Sequence, residues 1–117
     1  MKIKDVMAEE ISVIKADQTV KNAAEEMVKS STGVLTVKDN NNVVGMITDR
    51  DIVVRAIAKG KNPGETKVSE AMTPEVVYLF EDQPINDATQ KMRENQIRRL
   101  LVFNREKKPI GMVSLVP

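Results

Sequence analysis

The sequence predicts an α+β (α/β-like) chain built from two copies of one small unit, each a sheet flanked by helices. Three observations predict it. The two halves align with each other. Each half carries one run of apolar residues at helical spacing, followed by two strand-like runs. The stretch Gly45-Met46-Ile47-Thr48-Asp49-Arg50-Asp51 returns near the end as Gly111-Met112-Val113-Ser114-Leu115-Val116-Pro117, with the hydroxyl kept and the carboxylate lost.

The alignment is regular. Lys2-Ile3-Lys4-Asp5-Val6-Met7 matches Lys67-Val68-Ser69-Glu70-Ala71-Met72 at an offset of 65. Ile14 to Gln18 matches Leu79 to Gln83 at the same spacing. So do Val20, Ala23 and Met27 with Ile85, Ala88 and Met92, and Leu35 and Val37 with Leu100 and Val102. From Gly45 to Gly111 the offset becomes 66, because the second turn, Asn104 to Pro109, is one residue longer, and turns accept insertions best. The expected organisation is repeat 1 over 1–60, a linker over 61–66 and repeat 2 over 67–117, the last without a counterpart of the final helix. Tandem units that each expose an apolar face bury it against one another.

Each repeat opens with a short stretch ending in Met and a brief extended segment, Ile11 to Ile14 or Val76 to Phe80. Val20, Ala23, Ala24, Met27 and Val28 then form one apolar stripe of a helix. In the second copy Pro84 stands near the helix start, where a missing N–H costs little. Strands follow at Val34 to Val37 and Val43 to Thr48, joined by Asp39-Asn40-Asn41-Asn42, which suits a turn with positive φ. The second copy has Leu100 to Phe103 and Ile110 to Ser114, joined through Arg105 to Lys108. Repeat 1 closes with a helix from about Arg50 to Lys59, stopped by Gly60, whose apolar face is Ile52, Val53, Ala56 and Ile57. Lys61-Asn62-Pro63-Gly64 reads as a connector.

Composition narrows the chemistry. Aromatic residues are 3% of the chain, so the core must be aliphatic. Lys plus Arg is 18 against 17 for Asp plus Glu, which gives no bulk electrostatic case for nucleic acid or an anionic membrane. No apolar run is long enough to cross a bilayer. Met1 to Asp5 contains no leader-like hydrophobic region, and a cytoplasmic location is the expectation. Cysteine and histidine are both absent, which removes disulfides, thiolate and imidazole metal sites, the commonest general base and the best nucleophile. An enzyme is therefore the least supported class. Methionine recurs at matched positions, Met7 with Met72, Met27 with Met92 and Met46 with Met112, so it reads as core packing and not as a soft-metal surface.

The polar residues of the repeated stretch suit a nucleotide. A carboxylate at a helix start, Asp51, can accept two hydrogen bonds from a ribose diol. The Thr48 hydroxyl can reach a sugar or phosphate oxygen, and a helix N-terminus carries partial positive charge. Arg98 and Arg99 offer planar donors for phosphate. Each has a plainer reading. Asp is a preferred N-cap residue, a strand-end Thr can satisfy its own backbone, and arginines beside a buried strand are commonly solvated. Arg99 aligns with apolar Val34, which singles it out as the lining residue of the two. Arg50 and Arg55 lie on the exit helix, where a solvated face is the default. Glu9-Glu10 and Glu25-Glu26 point apart on a helix and make no catalytic pair.

A duplicated extended–helix–strand–strand–helix unit, whose last strand ends in Gly-hydrophobic-hydrophobic-Thr/Ser-x-x-Asp, resembles a CBS (cystathionine β-synthase-type) domain pair, or Bateman module, over essentially the whole chain. The residues that carry the resemblance are Asp5-Val6-Met7, Glu70-Ala71-Met72-Thr73-Pro74, the helices opening at Val20 and Ile85, Ile97 to Val102 and the two glycine-containing stretches. The resemblance implies two repeats packed as a pseudo-two-fold pair that are not an enzyme. It implies a regulatory module that takes an adenosine-containing ligand (AMP, ADP, ATP, S-adenosylmethionine or NAD(H)) in clefts crossed between repeats. It also implies a homodimer and an effector protein of unknown identity.

Carried onto this chain, the first cleft takes Thr48 and Asp51 from repeat 1, Thr73 and Val77 for the base, and Arg98 and Arg99 for phosphate. The second takes Ser114 with Ala8, Ser12, Gly33 and Val34. There Pro117 stands in place of the ribose-binding aspartate and Gly33-Val34 in place of the arginine pair. One competent site and one degenerate site are therefore expected. The alternatives are a dimerising interaction scaffold with a vestigial cleft, and nucleic-acid binding through Arg98, Arg99, Arg105, Lys107 and Lys108, which the scarcity of aromatics disfavours.

Overall fold

The structure is a computed structural model, and it describes residues 1–9 and 11–114. Glu10, Leu115, Val116 and Pro117 lie outside the described residues, and with them the expectations placed on Glu10 and on Pro117. The chain forms two compact units, residues 12–76 and residues 1–11 with 77–117. Each sequence repeat therefore lends its opening segment to the unit built from the other.

In the 12–76 unit the elements are β1 (Val13–Lys15), α1 (Val20–Ser30), β2 (Val34–Asp39) and β3 (Asn42–Thr48). They are followed by the short helical turn α2 (Asp49–Asp51), a π-helical continuation (Ile52–Ile57) and α3 (Val68–Ala71). The other unit has a 3₁₀ turn (Ile3–Asp5), β4 (Tyr78–Phe80), α4 (Ile85–Asn95), β5 (Arg99–Phe103) and β6 (Pro109–Ser114). Each sheet has three strands in sequence order, the first pair parallel and the second antiparallel. The parallel pairs are bridged by α1 and α4, the crossover helix that a parallel connection requires.

Local chemistry explains the element ends. The Thr19 side chain accepts a hydrogen bond from the Asn22 amide at 3.1 Å and caps α1. Pro84 caps α4. The β2–β3 turn takes positive φ at Asn40 (51°) and Asn41 (67°), as the Asx-rich sequence suggests. Gly60, at φ 73°, ends the exit helix.

The cores are aliphatic. One unit buries Ile14, Val20, Ala23, Met27, Leu35, Val37, Ile47, Ile52, Ala56, Val68 and Ala71. The other buries Ile3, Leu79, Ala88, Met92, Leu100, Val102 and Val113. Each Val, Leu, Ile or Met among them contributes about 1.5–3 kcal/mol when fully removed from water. Ile3 and Val68, at matched positions in the two repeats, are fully buried, one in each unit.

Two expectations change. Val28 does not join the buried stripe of α1 but is 81% exposed, because the sheet reaches only the Val20–Ala23–Met27 side. Val53 and Ile57 are exposed while Ile52 and Ala56 are buried. There the helix carries an i→i+5 hydrogen bond, Ala58 N–H to Val53 O at 2.8 Å, and beyond its end Lys61 N–H closes back onto Ala56 O at 3.0 Å. Ile52 and Ala56, four residues apart, join the buried core, and Val53 and Ile57 fall on the flank beyond it. Gly45 and Gly111 lie inside β3 and β6, within the expected strands. Each is glycine because another backbone crosses it. A Cβ at Gly45 would collide with the Thr73 carbonyl oxygen and approach Pro74 Cα to 3.2 Å; at Gly111 it would meet the Ala8 carbonyl oxygen at 2.5 Å.

The chain's three aromatic residues gather on one unit. Tyr78 stacks on Phe103 with ring centroids 4.5 Å apart and meets Phe80 edge-on at 5.7 Å. The Arg105 guanidinium lies 4.2 Å over the Phe80 ring and donates two hydrogen bonds to Asp82, at 2.8 and 3.0 Å. Those hydrogen bonds hold the Asp82 carboxyl below its ordinary pKa and raise that of Arg105.

Candidate functional site

The residues singled out in repeat 1 meet at the end of β3. Thr48 is the N-cap of α2. Its hydroxyl accepts from the Asp51 amide at 3.0 Å, and the Asp51 carboxylate accepts from the Thr48 amide at 3.0 Å. This reciprocal pair is a capping box, built by a Thr followed three residues later by an acid. The plainer reading of both residues is thus realised in the structure.

A third residue joins them from further along the chain. The segment after α3 pairs with β3 through Met46 and Thr73, which exchange backbone hydrogen bonds of 2.9 and 2.8 Å. The close approach over Gly45 permits that pairing. It brings the Thr73 hydroxyl to 3.4 Å from each Asp51 carboxylate oxygen. Thr48, Asp51 and Thr73 are all half-buried, and the Asp51 side chain is 13% exposed.

Arg55 is exposed, as a solvated face implies, and it also has partners. Its Nε stands 3.8 Å from Asp51 Oδ1, and its Nη1 donates to the Met72 carbonyl at 2.9 Å. The i, i+4 spacing of Asp51 and Arg55 was the available signal. Asp49 was not singled out either. Its amide donates to the Gly33 carbonyl at 2.9 Å, and a Cβ at Gly33 would sit 2.7 Å from its carboxylate. The glycine at position 33 therefore leaves room for an acid at the mouth of the helix.

The remaining candidates of the first cleft belong to the other unit. Val77 is half-buried and packs against that unit's core. Arg98 lies just before β5 and Arg99 opens it, opposite Ser114 in register. Both arginines are exposed, and neither forms an ion pair among the described residues.

Of the second set, Ala8 exchanges backbone hydrogen bonds of 2.8 and 2.9 Å with Met112, so it stands at the register Thr73 holds opposite Met46. Ala8 brings no hydroxyl there. Ser114 is exposed at the end of β6. Ser12 accepts the Thr36 amide through its carbonyl at 2.9 Å, and Val34 is buried. The two β-strand ends are therefore built alike in backbone and differ in side chains. One carries a hydroxyl–carboxylate–hydroxyl group, and the other a serine beside an alanine.

A duplicated three-stranded unit, with a glycine crossed by the opening segment of the partner repeat and a Thr/Ser at the strand end, matches a known pattern. A family profile described as the CBS domain matches residues 3–57 and 68–116. The chain belongs to the CBS domain family. It is 35% identical over 113 residues to the CBS domain-containing protein YhcV of Bacillus subtilis, covering 97% of this chain and 79% of that protein. Among solved structures it is similar to the conserved CBS domain protein TA0289 of Thermoplasma acidophilum, described as of unknown function. That match has a TM-score of 0.90 and 26% identity over 97% of this chain and 65% of that one. It is also similar to the CBS domain pair of protein MJ0100, solved with 5′-methylthioadenosine and S-adenosyl-L-methionine. There the TM-score is 0.86 at 25% identity, covering 97% of this chain and 89% of that chain. The matched CBS segments are the two sequence repeats. No helix among the described residues is long and apolar enough to cross a membrane.

Proposed function

We propose that this CBS pair is a regulatory sensor that binds an adenosine-containing ligand and performs no catalysis of its own. The observation that carries the reading is the convergence of Thr48, Asp51 and Thr73 at the end of β3. A carboxylate has about four lone-pair positions. Asp51 spends one well on the Thr48 amide at 3.0 Å, while its contacts to Thr73 at 3.4 Å and to Arg55 at 3.8 Å are long. A ribose diol would replace those long contacts with short, charge-assisted ones, each contributing about 1.5–3 kcal/mol.

In this reading Asp51 holds the ribose, and Thr48 and Thr73 line it. Thr73 and Val77 flank the base, and Arg98 and Arg99 take phosphate when the ligand carries one. The set around Ser114, with Ala8, Ser12, Gly33 and Val34, is the degenerate counterpart. The binding of 5′-methylthioadenosine and S-adenosyl-L-methionine by the MJ0100 pair supports the ligand class. The exposed Val53, Val54 and Ile57 on the helix after Asp51 support self-association as a homodimer, with a separate effector protein receiving the signal.

Calorimetric titration with AMP, ADP, ATP, S-adenosylmethionine and NADH tests the reading. Saturable binding by at least one is expected. A folded protein that binds none would overturn it. A second reading, an interaction scaffold with a vestigial site, is favoured by one observation: Asp51 already has protein partners on every side named above. The same titration separates the two.

A further inference from the structure

A pocket lies at the opposite ends of the strands from Thr48 and Asp51. In the 12–76 unit a cavity of about 810 Å³ opens where β1 and the β2–β3 turn meet the start of α3. Lys15, Lys38 and Lys67 line it, with Asp17, Asp39 and Ser69. Lys15 and Lys38 are direct neighbours in the parallel register of β1 and β2. Like charges set side by side on a sheet repel each other. Among the described residues none of the three lysines forms an ion pair, with Asp17, Asp39 or any other carboxylate.

The duplication supplies an internal control. The residues aligned with Lys15 and Lys38 are Phe80 and Phe103, which pair in the same register of the other sheet. There aromatic rings occupy the position, and Arg105 closes over Phe80 onto Asp82. The counterpart of Asp82 is Asp17, and that of Arg105 is Asn40, which is too short to close in the same way. The fold thus accommodates an apolar, closed form of this corner. The 12–76 unit instead keeps an open cavity and, among the described residues, a lysine pair without an ion-pair partner.

The geometry points to a binding site for a phosphate-bearing small anion, separate from the adenosine site, held by the ammonium groups of Lys15, Lys38 and Lys67. The anion neutralises the Lys15–Lys38 pair. Asp17 and Asp39 in the same lining accept from hydroxyl or amine groups where the phosphate-bearing ligand carries them.

Inorganic pyrophosphate is the probe. It is titrated into the full, isotopically labelled chain while backbone amide resonances are followed. Saturable shifts centred on Lys15, Lys38, Asn40 and Asn41 are expected. The Lys15→Gln and Lys38→Gln variants should each raise the apparent Kd about tenfold, the loss of one charge-assisted contact. A Lys15→Phe/Lys38→Phe variant, copying the other repeat, should abolish the shifts while keeping a folded spectrum. The inference is overturned if the folded wild-type chain shows no saturable shift. It is equally overturned if the shifts spread over all surface lysines, if they centre on Thr48 to Asp51, or if they persist unchanged in the glutamine variants.

Discussion

The Thr73 hydroxyl lies 3.4 Å from both carboxylate oxygens of Asp51, although 22 residues separate the two in sequence. The contact exists because the backbone of Thr73 pairs with Met46 across a glycine, and Asp51 is fixed by its capping box with Thr48. A structural crossing thereby sets a hydroxyl beside an acid. Thr73→Val removes the donor and keeps the shape. It should weaken adenosine-ligand binding by about three- to tenfold, the effect of one hydrogen bond of about 1 kcal/mol, and shift the melting temperature little. Calorimetry beside thermal melting checks both halves.

Gly45 should tolerate no side chain. Gly45→Ala places a methyl group against the Thr73 carbonyl and is expected to cost about 1–3 kcal/mol, as overpacking does. Gly64→Ala is the control, since the nearest atom to its Cβ, Asn62 Oδ1, is 3.4 Å away. Urea unfolding of the two variants should separate them clearly. Equal stabilities would show that the crossing is not tight.

Arg98 and Arg99 are exposed and carry no structural ion pair among the described residues. Arg98→Ala and Arg99→Ala should therefore change stability by no more than about 0.5 kcal/mol. If they hold phosphate, they lower affinity for AMP, ADP or ATP and leave adenosine itself unaffected. Parallel titrations with nucleoside and nucleotide decide it.

Asp82 gives a pH prediction. Its hydrogen bonds to Arg105 depress the carboxyl pKa in the folded chain. A depressed acid stabilises the fold above the unfolded carboxylate pKa, about 3.9, and that contribution is lost as pH falls through the folded value. Wild type should melt slightly above Asp82→Asn near neutrality, and the gap should close in acid. The pair is solvent-exposed, so the gap is small. A gap that stays constant with pH would mean that the aromatic packing, and not the ion pair, is responsible.

Much of the fold was legible because it is written twice. Matched apolar positions such as Leu35 with Leu100 and Met27 with Met92 fall in the two cores, and Asn40-Asn41 announces its turn. On the exit helix the apolar stripe is wider than the buried one: Ile52 and Ala56 reach the core and Val53 and Ile57 do not, which periodicity alone does not distinguish. The strand around Gly45 is legible, but not why that position is glycine. Its actual reason, a carbonyl lying against it, is a long-range contact that no local pattern announces. The Thr48–Asp51 pairing was visible at its three-residue spacing, and the hold of Arg55 on Asp51 was visible at four. The approach of Thr73 to Asp51 came from the family resemblance and not from spacing.

The most direct test compares Asp51→Ala with Ser114→Ala in calorimetric titrations of whichever adenosine ligand the wild-type chain binds. Loss of a ribose clamp of two charge-assisted hydrogen bonds predicts a drop in affinity of roughly a hundredfold or more for Asp51→Ala, with Ser114→Ala close to wild type. Equal losses in the two variants, or none in Asp51→Ala while the protein remains folded, would contradict the assignment of the ligand to the Thr48–Asp51 end of the pair.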